Sequence, residues 1–212
     1  MAEEKIDIVG LFPSPVYITR REMDLDLTEE KEIRDIINEG MGERKEIPFV
    51  SRNMYIFDTR LYNLKEFCEK HIKIYVKEII NPKEKLDFYI TQSWLNVITP
   101  NNANNITDFP KHSHANSIIS GVFYISTKEE DSIRFYDENV KVKEWMRFNL
   151  LENNIWNSNM FSQNVDNNTL VLFPSWLEHS AENFSPNRIS LAFNVFAKGL
   201  FGTKNTPSEL IL

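Results

Sequence analysis

The feature that most constrains the fold is a change of hydrophobic period at Pro82. Downstream of it lie five short runs rich in Ile, Val, Phe and Tyr: DFYITQSWLNVI (87–98), SIISGVFYIS (117–126), DSIRFYDE (131–138), TLVLFPS (169–175) and RISLAFNVFAK (188–198). Turn-forming residues separate them, which is the pattern of successive strands. Upstream the spacing is helical. DLTEEKEIRDIINEGM (26–41) reads as a helix with Thr28 as its cap, acids in the first turn, Ile33, Ile36 and Ile37 on one face, and Gly40 at its end. YNLKEFCEKHIKIYVKEII (62–80) reads as a second amphipathic helix carrying Leu64, Phe67, Cys68, Ile72, Tyr75 and Ile79. GLFPSPVYITR (10–20) is expected to be extended, because its prolines oppose a helix. The polar stretch 149–168 reads as a long loop, as does the segment 99–111, and both are candidates for substrate contact. Helices first and strands after imply an α+β fold, with N-terminal helices covering one face of an antiparallel sheet or barrel. A chain of 212 residues suits a single domain, with 1–85 as mixed helical support and 86–200 as the barrel core.

Composition narrows the function classes. The net charge is −7 and no long basic run occurs, which argues against a nucleic-acid partner, since such binders take most of their affinity from phosphates. Cys68 is the only cysteine, so an intrachain disulfide is excluded and a reducing compartment is expected. The first residues, MAEEKIDIVG, lack a secretory pattern, and no run approaches the ~20 apolar residues of a membrane helix. The expectation is a cytoplasmic protein with no membrane partner.

The chemistry is concentrated in the histidines, of which there are four. KHSHANSIISGVFYIS (111–126) places His112 and His114 one residue apart at the mouth of a strand. Residues i and i+2 of a strand share a face, so both imidazoles can aim at one point. Imidazole suits iron, zinc, copper or nickel, and a third group is needed to hold a divalent ion. His179, in FPSWLEHSAEN, follows another strand and is the candidate for that group. Paired histidines before a strand are also common as surface or hydrogen-bonded core residues, and His71, inside the second helix, is read as a helix-face residue. Arg188 and Ser190 are again i and i+2, and the arginine fork matches a carboxylate. The bland alternative for Arg188 is an ion pair at the barrel edge with one of the chain's acids.

Taken in order, these residues resemble the iron(II)/2-oxoglutarate-dependent oxygenases, and the arrangement is closest to the prolyl-hydroxylase-like branch. His112–Ser113–His114 stands where that branch has H-x-D, SGVFYIS resembles its strand with a cofactor-facing Tyr124, and His179 and Arg188 match its distal histidine and its carboxylate-binding arginine. LFPSPVY, SWLNV, LVLFPSWLEHSAEN, RISLAFN and KGLFG extend the resemblance over nearly the whole chain, to a family of 2-oxoglutarate/iron oxygenases of unassigned substrate. The resemblance implies a double-stranded β-helix, that is, a jelly-roll barrel. It implies Fe(II) held by His112, His114 and His179, and 2-oxoglutarate as cosubstrate with O2. Arg188, Ser190, Tyr124 and Asn96 would bind the cosubstrate, and Trp94 would wall a substrate pocket. It implies hydroxylation of a small-molecule or peptide substrate, a peptidyl proline among them. Trp176 is expected to pack the turn that aims His179.

One departure stands out. The usual triad is two histidines and a carboxylate, and here His114 occupies the carboxylate position. His114 is then a true ligand, or it stands behind a two-histidine site, or the acid comes from Asp108 or Asp137. Two other classes compete with the oxygenase. A cupin-like metalloenzyme also uses H-x-H and a distal His, but it normally adds a Glu soon after, where this chain has ANSIISG. A non-catalytic barrel makes the histidines incidental and does not predict Arg188 and Ser190 at their spacing.

Overall fold

The computed structural model describes residues 7, 9–11, 13–41, 50–99, 110–137, 151–182 and 187–212. Strand β2 (Asp87–Ile98) and strand β8 (Arg188–Lys198) pair along their full lengths at one side of the larger sheet, with β2 at its edge. That sheet continues through β3 (Ile119–Ser126), β6 (Thr169–Pro174) and β1 (Tyr17–Arg20) in the order β1-β6-β3-β8-β2. A three-stranded sheet faces its functional side in the order β5-β4-β7, built from β5 (Met160–Asn164), β4 (Ser132–Tyr136) and β7 (His179–Glu182). A short pair, β9 (Leu200–Phe201) and β10 (Leu210–Ile211), closes the chain, and every strand pairing is antiparallel.

Strand alternation sorts the side chains of the larger sheet into two cores. One face carries Phe123, Leu191 and Leu95 in register across β3, β8 and β2. These pack with Phe193, Leu170 and Leu172 against Ile33 and Ile36 of helix α1 (Leu27–Asn38), Phe57 of α2 (Ile56–Thr59), and Leu64, Cys68 and Ile72 of α3 (Tyr62–Tyr75). On the other face Tyr124, Val171 and Phe173 meet Ile133 and Phe135 of β4, giving a second core between the two sheets. Gly121 lies on the helix side, where an added Cβ would come within 2.2 Å of the Phe193 ring. The larger sheet thus separates a helical layer from a cavity layer.

Three local expectations need correction. Asp26, not Thr28, caps α1: its carboxylate accepts from the Thr28 and Glu29 N–H groups at 2.8 Å each, and the Glu29 carboxylate returns to the Asp26 N–H at 3.0 Å. Glu29 also forms a buried ion pair with Arg21 at 2.9 Å, which ties the end of β1 to the helix. The stretch 149–168 is not all loop, because Met160–Asn164 forms β5 along the outer edge of β4. Its side chains are mostly exposed, so the backbone ladder, not an apolar pattern, makes it a strand. Trp176 is 55% exposed, and Leu177, at 4%, fills the turn below it. The second helix runs to Tyr75 and continues as a π turn over Val76–Ile80, ending at Asn81 in the left-handed region. Most of the segment 99–111 and Asp108 lie outside the described residues.

Candidate functional site

The cavity-facing row of the larger sheet is polar where the opposite row is apolar. Tyr124, Ser190 and Asn96 are register partners across β3, β8 and β2, with Arg188 beside Ile98 at the next inward position. Two residues further along the strands, Val122, Ala192 and Trp94 form a second inward row. Alternation alone produces both rows, since the helix-side positions between them are occupied by Phe123, Leu191 and Leu95.

The histidines arrive from the opposite side of the same space. His179 opens β7, and its backbone is bridged in both directions to His112: the His112 N–H donates to the His179 carbonyl at 3.0 Å, and the His179 N–H donates to the His112 carbonyl at 2.9 Å. The His114 N–H donates to the Ser175 carbonyl at 2.9 Å. The H-x-H segment is therefore stitched to the end of β6 and the start of β7, which brings together residues 67 positions apart in sequence (179 − 112). One ring nitrogen from each of His112, His114 and His179 lies within 4.8 Å of the others. Ring centroids stand 4.4 Å apart for His112 and His179, 5.1 Å for His112 and His114, and 5.2 Å for His114 and His179.

Two of the rings are oriented by main-chain carbonyls. His112 Nδ1 donates to the Pro110 carbonyl at 2.7 Å, and His179 Nδ1 donates to the Leu177 carbonyl at 3.0 Å. A carbonyl only accepts, so both Nδ1 atoms carry the hydrogen and both Nε2 lone pairs are left for a metal. Phe173 meets the His179 ring edge-to-face at 4.6 Å, and Trp94 stacks on His114 at 5.9 Å with a 17° interplanar angle. Burial pushes the His114 imidazole down to about 4, helped by His112. Burial likewise pushes His179 down to about 3, with His112 adding to the effect. Both rings are therefore neutral at ordinary pH, the form that binds a metal.

Arg188 is 3% exposed. Its guanidinium donates to the Ser132 carbonyl at 3.3 and 3.4 Å, at the long end of the range, and its Cζ lies 5.3 Å from the centre of the Tyr124 ring. Burial raises the Tyr124 phenol above its usual value, with Arg188 opposing, so it is a neutral hydrogen-bond group at ordinary pH. Trp94, Asn96, His112, His114, Tyr124, His179, Arg188 and Ser190, the sequence-derived candidates, all line one cavity with about 70 Å³ of solvent-accessible space.

His71 is not in the cavity. It is buried on α3, and its Nδ1 is hydrogen-bonded to the Tyr17 hydroxyl at 2.7 Å. Among the described residues no carboxylate joins the histidine cluster, and Asp137 is not part of it. Sequence reasoning missed Phe173, which lines the cavity against His179, and Ser120. The signal for Ser120 was present: it continues the i, i+2 row of Val122 and Tyr124.

Three imidazoles converging on one point, with a buried guanidinium in the same small cavity, make a candidate metal centre beside a group able to pair with an anion. Residues 92–194 match the model of the family described as "Putative 2OG-Fe(II) oxygenase". That segment, just under half of the chain, is similar to the iron(II)/2-oxoglutarate-dependent oxygenases, a family whose members use Fe(II), 2-oxoglutarate and O2. The match is to the family as a whole and does not single out a prolyl-hydroxylase-like branch. Similar solved structures include an oxidoreductase of the 2OG-Fe(II) oxygenase family from Burkholderia pseudomallei, at 10% identity over 85% of this chain and 83% of that one, with a TM-score of 0.48. Another is HygX from Streptomyces hygroscopicus, solved with nickel, 2-oxoglutarate and hygromycin B, at 11% identity over 86% and 82% of the two chains, with a TM-score of 0.49. Likeness that distant carries no residue correspondence. No curated relative matches the chain. Among the described residues no helix is long and apolar enough to cross a membrane.

Proposed function

We propose that this chain is a cytoplasmic iron(II)/2-oxoglutarate-dependent dioxygenase in which His112, His114 and His179 hold the metal. Arg188, with Ser190 and Tyr124, binds the far carboxylate of 2-oxoglutarate, and Asn96 contacts the cosubstrate from the neighbouring strand. The observation that carries the reading is the presence of the three-imidazole cluster and buried Arg188 in one cavity. When bound, Fe(II) and 2-oxoglutarate supply the activation of O2, with oxidation of a substrate C–H bond and conversion of 2-oxoglutarate to succinate and CO2.

The protein's own residues bind, orient and exclude water. His112 and His179 are held by the Pro110 and Leu177 carbonyls so that Nε2 faces inward. Replacing the usual carboxylate with His114 leaves the site one unit more positive, and with Arg188 alongside, the pocket favours a dianionic cosubstrate. The planar fork of Arg188 matches a carboxylate in two places, and its burial keeps the contact from being screened. Val122, Ala192, Phe173 and Trp94 supply apolar walls that shed water from the metal side. The two antiparallel sheets are read as the halves of a double-stranded β-helix, and residues 1–212 as a single oxygenase domain. The substrate is a small molecule or a peptide. A peptidyl proline rests on the resemblance alone and is one compound class to assay.

The test is anaerobic titration of iron-loaded protein with 2-oxoglutarate, followed by the visible charge-transfer band of the chelate. A saturable band and a rise in melting temperature are expected. Iron binding with neither would favour a cupin-like centre, and no iron binding would favour a non-catalytic barrel.

A further inference from the structure

Ser120 brings a hydroxyl to the metal side of the cavity wall. It is buried at an inward position of β3, four residues from Tyr124, which separates the two along the strand by roughly 13 Å at about 3.3 Å per residue. Its register partner on β6 is Phe173, whose ring lies against that of His179. The hydroxyl therefore borders the same small space as the imidazoles, beside the apolar groups of Val122, Ala192, Phe173 and Trp94. Behind it runs a row of further hydroxyls. Ser120 Oγ is 2.9 Å from Ser175 Oγ, Ser175 Oγ donates to Ser117 Oγ at 2.7 Å, and Ser117 Oγ lies 3.0 and 3.3 Å from the Ile119 and Val195 carbonyls. Ser175 is fully buried and stands outside the set of residues that line the cavity.

Each serine hydroxyl has one hydrogen and two lone pairs. A carbonyl only accepts, so Ser117 spends its hydrogen on Ile119 or Val195. Ser175 then gives its hydrogen to Ser117, and the hydrogen in the Ser120–Ser175 contact comes from Ser120. Run the other way, the row would set the Ser117 lone pairs against two carbonyl oxygens. The contact from Ser120 to Asn194 Oδ1 is 3.4 Å, beyond the ordinary O–H···O range. Whichever way that amide faces, it uses at most one lone pair of Ser120. All three hydrogens thus point away from the metal, and what Ser120 offers to the cavity is a lone pair. An acceptor fixed from outside the cavity discriminates: a ligand hydroxyl or N–H gains a bond there, whereas a ligand lone pair meets another and stays unpaired.

We propose that Ser120 determines specificity at the metal side of the cavity. It is an acceptor-only subsite that takes a substrate presenting a hydroxyl, amine or amide N–H beside the carbon to be oxidised, and turns away one presenting a carboxylate, an ether or another hydrogen-free group there. The proposal rests on the oxygenase reading and narrows its substrate class. Carboxylate recognition stays at the opposite end, where Arg188 donates and Ser190 and Tyr124 can donate. The two ends of the cavity are opposite in hydrogen-bonding sense, which keeps cosubstrate and substrate from exchanging places.

The probes are azide, which only accepts, and ammonia, which presents N–H groups once on the metal. Each is titrated anaerobically into Co(II)-loaded wild-type, Ser120→Ala and Ser175→Ala proteins and read from the Co(II) absorption spectrum. Loss of the hydroxyl in Ser120→Ala should tighten azide and weaken ammonia, each by roughly tenfold, the weight of about one hydrogen bond. Ser175→Ala leaves the cavity lining unaltered but frees the Ser120 hydrogen to turn inward. Azide should therefore tighten there too, while ammonia changes by less than in Ser120→Ala. A change of cavity shape alone would move both probes the same way in Ser120→Ala and neither in Ser175→Ala. That result, or no change in either variant, would overturn the proposal. If the metal-free melting curve shows that Ser175→Ala does not fold, the opposite shifts in Ser120→Ala decide. A wild type that binds Co(II) without these shifts in the variants leaves the oxygenase reading standing, whereas a wild type that binds no Co(II) sinks both.

Discussion

Replacing Arg188 with Lys separates the metal from the cosubstrate. The structure puts this guanidinium at 3% exposure, against the Tyr124 ring and the Ser132 carbonyl, and in the same cavity as the three histidines. Lys retains a positive charge but offers a point in place of a fork, so one of two charge-assisted contacts to a carboxylate is lost. Each such contact is worth about 1.5–3 kcal/mol where solvent is excluded. At about 1.4 kcal/mol per tenfold, the expected loss in 2-oxoglutarate affinity is roughly 10–150-fold. Metal affinity should stay within about twofold, because no histidine is touched. Anaerobic 2-oxoglutarate titrations of iron-loaded wild-type and Arg188→Lys protein give the first quantity, and a metal titration gives the second. Unchanged 2-oxoglutarate affinity would refute the assignment of Arg188, and loss of iron in the variant would show that Arg188 supports the metal centre itself.

Other outcomes follow from the same geometry. Saturating Co(II) at about 100 times its dissociation constant should stabilise the fold by about 2.7 kcal/mol, visible as a raised melting temperature that His179→Ala abolishes. His114→Asp restores the common triad and should keep metal binding, whereas His114→Ala should weaken it; equal binding by all three proteins would place His114 outside the ligand set. Metal-free protein should lose stability as pH falls from about 6.5 towards 4. In the folded state His114 and His179 are held down to about 4 and about 3, so the unfolded chain binds protons first and is favoured. A melting temperature that is flat between pH 7.5 and pH 5 would contradict this. Gly121→Ala drives a methyl into the Phe193 ring, 2.2 Å from the ideal Cβ position. A cost of about 1–3 kcal/mol is expected in urea unfolding, and no change would mean that the ring has room to move.

Legibility in the sequence followed the physics of each feature. β2 and β8 were readable to the residue, because long runs rich in β-branched and aromatic residues mark a strand both at the sheet edge, where β2 lies, and inside it, where β8 lies. Arg188 and Ser190 were readable because strand alternation fixes side without knowledge of the partners, whereas Tyr124 came through the family resemblance, and His112 and His114 precede β3 and are positioned by backbone bonds to His179 and Ser175. β5 was not, since an edge strand with exposed side chains has no apolar signature and exists through its hydrogen bonds to β4. The cap of α1 was misplaced by two residues because Asp26 and Thr28 are both good caps, and only the return bond from Glu29 decides between them. Trp176 was expected inside the turn, yet the turn leaves the larger side chain outside and closes over Leu177.

The central claim is tested most directly by anomalous diffraction from crystals grown anaerobically with Fe(II) and 2-oxoglutarate. The account predicts one metal peak bonded at about 2.0–2.2 Å, a typical metal–imidazole distance, to a ring nitrogen of each of His112, His114 and His179. It also predicts a cosubstrate carboxylate on Arg188. A peak elsewhere, or a peak on His112 and His179 with the His114 ring turned away from it, would contradict it.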